Sequence, residues 1–437
     1  MKVLLVCHGY PPLGVAGVER LSAQTAEELT DRGHTVTVLT REPSPAPETL
    51  ALRRDTRHRV PVVSIVGGGS TFGRFPGHEP ALERIFERML TELAPDVVLV
   101  THLLHHSPGY VSIAHRWGVP VLLELHDFFM LCPRAHLERR NGELCAGPEG
   151  GEACARHCFG EQPGARLRWS LRSESFAEAV RDADEVMAPS RFLSGAFESR
   201  RPERPIRIVP NAVSDFGPVL REERPGEPLH LASIGVTVAH KGFQTVVQAL
   251  RLASLPAVRY TILGVALPPL SFELQDEGER IVGLQLRLFN GFDPSHLPVL
   301  LADVDAVVVP SLVAETYSIV AREAFACGLP VIASRIGALP EAVTDGEDGW
   351  LFDPGDAVGL AVLLGQLDED RGQLRRATER ARENAADVVS VATRTDAVEA
   401  LLAGVVAEGP RRSADRSPEL GTMREALREA DLRHGLA

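Results

Sequence analysis

The feature that most constrains the fold is an alternation of strand-like and helix-like segments that runs along the chain and then starts again. Residues 2–8, which are continuously apolar from Val3 to Cys7, predict a buried parallel strand; a Gly- and Pro-containing loop and apolar residues at helical spacing follow it. The alternation restarts after a polar, Pro-rich stretch at 214–228. Strands that alternate with helices predict parallel sheets, so the chain is expected to be an α/β protein with two Rossmann-like domains.

The domain boundaries follow from this restart. An N-terminal domain is predicted at 1–213 and a C-terminal domain at 229–385, with a closing helix at 386–403 and a polar tail at 404–437. Two such domains facing across a cleft would direct the C-terminal ends of both sheets towards a ligand. The predicted strands are 2–8, 35–40, 96–101, 119–125, 185–188 and 206–209 in the first half, and 229–235, 258–264, 286–292, 305–311, 330–334 and 350–352 in the second.

Length and charge narrow the possible functions. The chain has 437 residues, which suits two domains, and a net charge of −13, which argues against a nucleic-acid partner. No apolar run approaches the roughly 18 residues that span a bilayer. The start of the chain lacks the regions of a signal peptide. We therefore expect a cytoplasmic protein with at most peripheral membrane contact.

The segment at 310–328 carries the strongest chemical signal. A buried strand is predicted to end near Ser311 and a helix to begin near Ser318, which places Glu315 in the loop and Glu323 inside the helix. The unpaired N–H groups at a helix start suit a diphosphate. The neighbours of Glu323 are apolar, and a carboxylate among them needs a partner. The alternative is that Glu323 lies on a solvated helix face and Glu315 in an ordinary loop.

These residues resemble a known family. Glu315 and Glu323 are separated by seven residues, as in the Glu-x7-Glu motif of retaining glycosyltransferases, and residues 286–352 resemble the C-terminal domain of family 4 glycosyltransferases. The glycine-rich loop at 14–20 and the Val-Pro-Asn-Ala-Val sequence at 209–213 match the N-terminal half of that family. The resemblance covers roughly residues 1–400. It implies the GT-B fold and transfer of a sugar with retention at the anomeric carbon, usually without a catalytic metal.

The resemblance also implies roles in binding a nucleoside-diphosphate sugar. Glu323 would hold the ribose, Glu315 would contact the sugar, and Lys241 corresponds to the phosphate-binding lysine of the family. The family commonly has Gly-Arg before this lysine, whereas here Gly235 is followed by Val236. The other donor-binding residues are expected to be the N–H groups of Thr316, Tyr317, Ser318 and Ile319 at the diphosphate, Asn290, Gly291 and Phe292 at the base, and Gly17 in the glycine-rich loop.

The acceptor side is expected at the end of the strand predicted at 119–125. His126 matches the family histidine near the reacting sugar, and Asp127 could orient its imidazole or bind acceptor hydroxyls. The alternative for His126 is a satisfied histidine at a strand end. Gly14 is expected to let the main chain approach the acceptor or the phosphates. The residues that could also line the cleft are His8, Ser190 and Asn211.

Four of the six cysteines lie in a predicted insertion at 128–162. Cys132, Cys145, Cys154 and Cys158 follow the pattern C-x12-C-x8-C-x3-C, and four thiolates can hold Zn²⁺ tetrahedrally. A structural zinc is therefore predicted, with an iron–sulfur cluster or reduced or paired thiols as alternatives. His136 and His157 are alternative ligands. Because the insertion follows His126 and Asp127 directly, it is expected to shape access of the acceptor.

The predicted reaction moves a sugar from a UDP- or GDP-sugar to a hydroxyl group of a glycan, a lipid-linked acceptor or a small molecule. No carboxylate placed as a covalent nucleophile is evident in the sequence, and the departing diphosphate could take the acceptor proton. Two alternatives are a nucleotide-sugar epimerase with the same fold and a non-catalytic scaffold stabilised by metal.

Overall fold

A computed structural model describes residues 1–14, 16–42, 50–68, 79–160, 164–200, 203–214, 216–217, 226–385, 388–411 and 422–423. The chain divides into two compact units, and each is described by itself. The first contains Met1–Pro210 together with Val391–Ala437, and the second contains Asn211–Ser390.

The first unit contains an eight-stranded sheet among its described residues, in the order β3-β4-β2-β1-β5-β6-β7-β8. Every neighbouring pair is parallel except β3 and β4. The central strand β1 is apolar and fully buried at Leu4, Leu5 and Val6, as its sequence predicts. The strands are β1 Lys2–Cys7, β2 Thr35–Glu42, β3 Ala51–Arg57, β4 Val60–Val66, β5 Val97–Val100, β6 Val121–Glu124, β7 Glu185–Ala188 and β8 Arg207–Ile208.

The antiparallel strands β3 and β4 were not predicted. β3 is an edge strand whose residues are mostly exposed, and it includes Arg53, Arg54 and Asp55. It therefore lacks the apolar alternation by which a half-buried strand is recognised. The helices that accompany this sheet are α1 Gly17–Asp31, α2 Pro80–Leu93, α3 Tyr110–Arg116, α4 Glu152–His157, α5 Ala165–Asp182 and α6 Arg191–Phe197.

The second unit contains a six-stranded, fully parallel sheet in the order β11-β10-β9-β12-β13-β14. Buried apolar side chains from strands and helices form its core, among them Leu231, Val246 and Tyr260. The strands are β9 Leu229–Val236, β10 Val258–Val265, β11 Leu284–Asn290, β12 Ala306–Val309, β13 Val331–Ser334 and β14 Gly349–Phe352. The helices are α7 Phe243–Ala253, α8 Leu270–Glu279, α9 Leu297–Leu300, α10 Ile319–Ala326, α11 Ala357–Glu369 and α12 Arg371–Asn384.

The last described helix, α13, spans Val391–Glu408 and belongs to the first unit. Val398, Leu402 and Val405 are buried in the same apolar cluster as residues of β1, β2 and β5. This packing explains why the helix continues past the predicted end at 403, because Val405 still buries its side chain there. Most of the predicted tail, at 412–421 and 424–437, lies outside the described residues. No helix in the described part of the chain is long and apolar enough to cross a membrane.

Candidate functional site

Both sheets reverse their strand order at one point, and this is where ligands bind in open α/β sheets. In the second unit the reversal lies between the neighbours β9 and β12. The chain leaves β9 towards Lys241 and leaves β12 towards Glu315. Lys241 and Glu315, which belong to motifs far apart in sequence, therefore follow adjacent strands at the same edge of the sheet.

A tight turn holds Lys241 against the end of β12. His240 accepts a hydrogen bond at its carbonyl oxygen from the N–H of Leu312, at 2.8 Å. Gly242, the residue after Lys241, has φ of +70°, and a Cβ atom there would lie 1.9 Å from the carbonyl oxygen of Pro310. Only glycine fits this position, because both the backbone conformation and the space exclude a side chain.

Lys241 and Glu315 form an ion pair. The Lys241 Nζ atom donates to Glu315 Oε1 at 2.7 Å, and the Ser311 hydroxyl donates to the same oxygen at 2.6 Å. Burial alone would raise the pKa of Glu315, but the charge of Lys241 and these hydrogen bonds outweigh it and lower that pKa. Opposite charges are thus held together at the sheet edge, and the lysine is the cation available to a phosphate there.

The start of α10 lies directly after this pair. Ser318 has φ of +59°, in the left-handed region, and its side chain does not cap the helix. A non-glycine residue in this region is strained, and such strain concentrates at functional sites. The first-turn N–H groups of a helix have no intrahelical acceptor, so this end suits an anion. Thr316, Tyr317, Ser318 and Ile319 lie here as predicted from the sequence, and their contact with a diphosphate stays a prediction.

The Tyr317 side chain makes other contacts and is not placed to bind a diphosphate. Its hydroxyl donates to the carbonyl oxygen of Asn211 at 2.9 Å, and the Arg322 guanidinium lies 3.6 Å from the ring centroid. Arg322 also donates to the carbonyl oxygen of Tyr317. Tyr317 would therefore meet a ligand through its main chain only, and Arg322 is committed to stabilising the loop.

Glu323 is buried, with 8 % of its surface exposed, among Ala321, Ala324 and Phe325 of α10. The alternative of a solvated helix face for this residue is therefore wrong. Glu315 lies in the loop before α10 with its carboxylate held by Lys241 and Ser311, and its contact with a sugar stays a prediction. The structure brings Glu315 and Lys241 into contact and places Glu323 in the helix that begins beside them.

Asn290, Gly291 and Phe292 lie at the C-terminal end of β11, on the same edge of the sheet. The Asn290 side-chain oxygen accepts from the N–H of Ala266 at 3.1 Å, and Gly291 adopts φ of +83°. The loops after β10 and β11 are thus tied together. The contact of these residues with a base stays a prediction. Val236, at the end of β9, is 37 % exposed and supplies no charge where the family commonly has arginine.

In the first unit the strand order reverses between β1 and β5, and two histidines that follow these strands meet there. The rings of His8 and His102 are 4.4 Å apart between centroids. His8 Nε2 lies 3.2 Å from Glu19, and His102 Nε2 lies 3.2 Å from Asp127. Burial and the neighbouring His102 lower the pKa of His8.

His102 was not predicted from the sequence, although it directly follows the strand predicted at 96–101. Its Nδ1 atom accepts a hydrogen bond from the N–H of Leu104 at 2.9 Å, so Nε2 carries the hydrogen that Asp127 accepts. Burial alone would raise the pKa of Asp127, but its electrostatic interaction and hydrogen bond with His102 outweigh burial and lower that pKa to about 2. Asp127 is therefore oriented by His102, and its role towards an acceptor stays a prediction.

His126 follows β6, and its ring contacts the carboxylate of Glu124. Its Nε2 atom lies 2.8 Å from Glu124 Oε2, and its side chain is 3 % exposed. A buried position fits a structural histidine, and a carboxylate at Nε2 fits an oriented functional one. The catalytic role of His126 therefore stays a prediction.

The glycine-rich loop and the remaining residues have identifiable structural roles. A Cβ atom at Gly14 would lie 2.9 Å from the Glu19 side chain, and Gly17 is the first residue of α1. The Ser190 hydroxyl caps α6 by accepting from the N–H of Leu193 at 3.0 Å. Asn211 is buried and accepts from Tyr317. The contacts of Gly14 and Gly17 with substrates stay predictions.

The cysteine-rich segment contains free thiols at Cys132, Cys145, Cys154 and Cys158. Cys154 lies in α4 and Cys158 directly follows the last residue of that helix, and an isolated bridge between Glu138 and Leu144 closes a hairpin before it. Among the described residues, no three His, Cys, Asp or Glu side chains are grouped so that they could hold a metal ion. The structural zinc therefore stays a prediction.

Comparisons with known proteins agree with this architecture. The family model described as Glycosyltransferase Family 4 matches residues 15–215, and the model described as Glycosyl transferases group 1 matches residues 221–384. The chain is 27 % identical over 405 residues to the glycogen synthase of Mycobacterium tuberculosis, which covers 88 % of this chain and 90 % of that protein.

Two further similarities differ in extent. A match of 32 % identity over 171 residues covers 37 % of this chain and 42 % of a protein named as a colanic acid biosynthesis glycosyltransferase of Salmonella typhimurium. The crystal structure of Anabaena HepE in complex with UDP superposes with a TM-score of 0.64 at 18 % identity, over 92 % of this chain and 100 % of that one. Because the two family models match successive parts of the chain, the protein belongs to the family 4 glycosyltransferases of the GT-B fold.

Proposed function

We propose that this glycosyltransferase transfers a sugar from a nucleoside-diphosphate sugar, either a UDP- or a GDP-sugar, to a hydroxyl acceptor with retention at the anomeric carbon. The observation that carries the proposal is the Lys241–Glu315 pair at the switch point of the second sheet, directly before the start of α10. This arrangement joins a cation, a carboxylate and a helix N-terminus at one sheet edge. Those are the groups that a diphosphate and a sugar require.

Similar proteins support the choice of donor. Anabaena HepE, which shares the fold, has been solved in complex with UDP and with UDP-glucose. In the proposed complex Glu323 accepts from ribose hydroxyls, and Lys241 and the N–H groups at the start of α10 bind the diphosphate. Glu315 contacts the sugar, and the main chain at Asn290, Gly291 and Phe292 meets the base.

In the proposed reaction the acceptor oxygen forms a bond to the anomeric carbon while the bond from that carbon to the diphosphate oxygen breaks. The acceptor proton moves to the departing diphosphate, so atoms and charge balance without a separate base. Lys241 and the start of α10 stabilise the negative charge that develops on the leaving group. The family resemblance implies that this step uses no catalytic metal.

The first unit supplies the acceptor side in this proposal. His126 lies near the reacting sugar, and Asp127, oriented by His102, accepts a hydrogen bond from an acceptor hydroxyl. The acceptor class is a glycan, a lipid-linked sugar or a small molecule. We place the reaction in the cytoplasm, without a nucleic-acid partner and with at most peripheral membrane contact.

We also propose that the four cysteines bind a structural zinc ion. Arg172 supports this: it is 3 % exposed, its guanidinium lies over the rings of Phe129 and Phe176, and negative charge on Cys132 and Cys154 would raise its pKa, which burial lowers. A buried cation is stabilised by negative charge nearby. Four thiolates around Zn²⁺ carry a net charge of about −2 and would provide that charge.

The reaction can be tested with a panel of UDP- and GDP-sugars. We expect one of them to be consumed, with release of its nucleoside diphosphate, and the Lys241→Met variant to lose most of this turnover. Lys2→Met is the matched control, because Lys2 is exposed and is the only other lysine of the chain. Turnover of no member of the panel, or equal loss in both variants, would contradict the proposal.

Retention can be tested without knowing the acceptor. If UDP-glucose is hydrolysed slowly in the absence of an acceptor, ¹H NMR should show α-glucose as the first product, because the donor carries an α linkage. β-Glucose as the first product would show inversion and would overturn this part of the proposal.

A further inference from the structure

A buried chain of charged groups joins the C-terminal helix α13 to His126. Arg394, in the first turn of α13, donates from Nη2 to Glu124 Oε2 at 2.7 Å. The same oxygen lies 2.8 Å from His126 Nε2. The side chains of Arg394, Glu124 and His126 are exposed by only 2 %, 2 % and 3 %. All three residues belong to the first unit.

Two parts of the chain that are far apart in sequence build this arrangement. Glu124 is the last residue of β6, and His126 follows two residues later in the loop, where its ring reaches back to the Glu124 carboxylate. Arg394 comes from a helix 270 residues later. Its Nη1 atom donates to the Thr25 hydroxyl at 2.9 Å, which fixes the guanidinium against α1 as well.

The charge of Glu124 depends on Arg394. Burial alone would raise the pKa of Glu124, but the charge of Arg394 and the hydrogen bond from His126 outweigh it and lower that pKa. Glu124 Oε1 is buried and has no hydrogen-bond partner among the described residues. The carboxylate therefore relies on the two bonds at Oε2.

An ionised carboxylate can only accept hydrogen bonds, so the hydrogen between Glu124 and His126 is carried by Nε2. A neutral carboxyl group could donate instead, and the imidazole could then carry its hydrogen at Nδ1. The hydrogen-bond partner of one ring nitrogen sets which tautomer a histidine adopts.

We propose that Arg394 is a positioning residue for His126: it keeps Glu124 ionised, and Glu124 in turn holds the imidazole in one orientation with its hydrogen at Nε2. The inference rests on the proposed function, in which His126 lies near the reacting sugar. It assigns part of the acceptor-side machinery to the C-terminal helix, so the first unit requires residues from both ends of the chain.

The tautomer can be observed directly in the full-length protein. Histidine-selective ¹⁵N labelling and long-range ¹H–¹⁵N NMR should show His126 protonated at Nε2, with the signal assigned through His126→Gln. In Arg394→Met the Nε2-protonated signature should be lost or mixed with the Nδ1 form. An unchanged His126 signal in a folded Arg394→Met protein would overturn the proposal.

Kinetics with the donor that the panel identifies, beginning with UDP-glucose, distinguish a role of Arg394 in positioning His126 from a role in protein stability alone. We expect Arg394→Met to lower kcat by roughly tenfold or more, as when a group that orients a functional histidine is removed, with KM for the donor little changed. Arg394→Lys keeps the charge and should recover part of kcat.

The double variant Glu124→Gln/Arg394→Met leaves no buried charge without a partner, so it should unfold close to the wild-type temperature. If Arg394 positions His126, kcat of this double variant stays low. If the double variant regains wild-type kcat, the ion pair serves stability alone and the proposal is wrong.

Arg32→Met is the matched control. Arg32 contacts the same helix through Asp396, Glu399 and the carbonyl oxygen of Ala392, and it makes no described contact with Glu124 or His126. Its removal should weaken the packing of α13 against α1 and leave kcat and the His126 signal unchanged. If wild-type protein turns over no UDP- or GDP-sugar, the proposed function fails, whereas the NMR comparison still decides the role of Arg394.

Discussion

Lys241 and Glu315 lie 74 residues apart in sequence, and the turn at Gly242 determines whether their side chains meet. The turn brings the main chain after β9 against the carbonyl oxygen of Pro310 at the end of β12. Glu315 is fixed from its other side, because the N–H of Ala338 donates to its carbonyl oxygen at 2.7 Å. The geometry of the charged pair is therefore set mainly by backbone contacts around it.

Replacement of Gly242 tests this dependence. In Gly242→Ala the new Cβ atom would lie 1.9 Å from the Pro310 carbonyl oxygen, so the backbone has to shift. The substitution also places alanine in the left-handed region. We expect a loss of at least about 1–2 kcal/mol in the free energy of unfolding from the backbone conformation alone. Donor turnover should fall with it, because Lys241 moves away from Glu315. Denaturant unfolding and the donor assay measure the two effects.

Gly365→Ala is the control for this substitution. Gly365 lies inside α11 with no atom within 4 Å of its Cβ position, so alanine should raise the free energy of unfolding by about 0.5–1 kcal/mol. A Gly242→Ala protein as stable and active as wild type would show that the turn does not hold Lys241 in place.

Those residues of the site that lie in one local sequence motif could be predicted from the sequence. The spacing of Glu315 and Glu323 and the apolar neighbours of Glu323 indicated a buried carboxylate beside a helix start, and the structure confirms that placement. The partners of His126 and Asp127 could not be predicted in this way. His102 meets Asp127, and Arg394 meets the Glu124 carboxylate that holds His126, only through sheet and helix packing, for which a single sequence carries no local signal.

Among the elements, most of the buried strands were predicted, whereas the buried strand β4 and the polar edge strand β3 were not. β9 and β10 are apolar along most of their length, and the structure places them within a residue of the predicted ends. The exposed edge strand β3 has no such pattern. The extent of α13 was also underestimated, because burial of Val405 depends on its packing against the first unit.

The cysteine-rich segment offers little apolar surface for a core of its own. The apolar cluster there contains Cys154, Ala165 and Trp169, with two partly buried neighbours. A metal bound by four thiolates would contribute folding free energy to such a segment directly. This is the element whose stability we expect to depend on a ligand.

Metal analysis tests this expectation. Protein purified without chelator should contain about one zinc per chain by mass spectrometry of the metal, as expected for a four-thiolate site. Removal of the metal should lower the unfolding temperature and impair use of the acceptor. Cys154→Ser should lose zinc, whereas Cys327→Ala, in the core of the second unit, should retain it. Zinc-free wild-type protein with full transferase activity would show the prediction to be wrong.

Taken over the whole molecule, each unit contains a wholly or mainly parallel sheet with charged or titratable residues at its switch point. The first unit has an additional feature, a group of buried and partly buried histidines around the ends of β1 and β5. Burial lowers the pKa of His105 to about 4 and that of His106 well below its ordinary value. These histidines are neutral in the folded protein at neutral pH.

Stability should therefore decrease when the solution is acidified. An unfolded histidine binds a proton near pH 6.5, whereas folded His105 does so only near pH 4. Between these values the unfolded state binds more protons, so the free energy of unfolding falls as pH decreases from about 6.5 towards 4. Unfolding temperatures measured from pH 7.5 to 5 should fall steadily.

His105→Asn should make this decrease shallower, since asparagine does not titrate and tolerates the positive φ of this position. His296→Gln, which replaces an exposed histidine of the second unit, should leave the slope unchanged. An equal slope in wild type and His105→Asn would contradict the assignment of acid sensitivity to this group.

Calorimetric titration of the protein with the nucleotide sugar that the panel assay identifies, beginning with UDP-glucose, tests the donor site directly. We expect saturable binding to wild type, at least tenfold weaker binding to Glu323→Gln and Lys241→Met, and unchanged binding to Glu369→Gln, which alters an exposed carboxylate at the end of α11. Binding that is equal in all four proteins, or absent for every UDP- and GDP-sugar, would contradict a donor site at Lys241, Glu315 and Glu323.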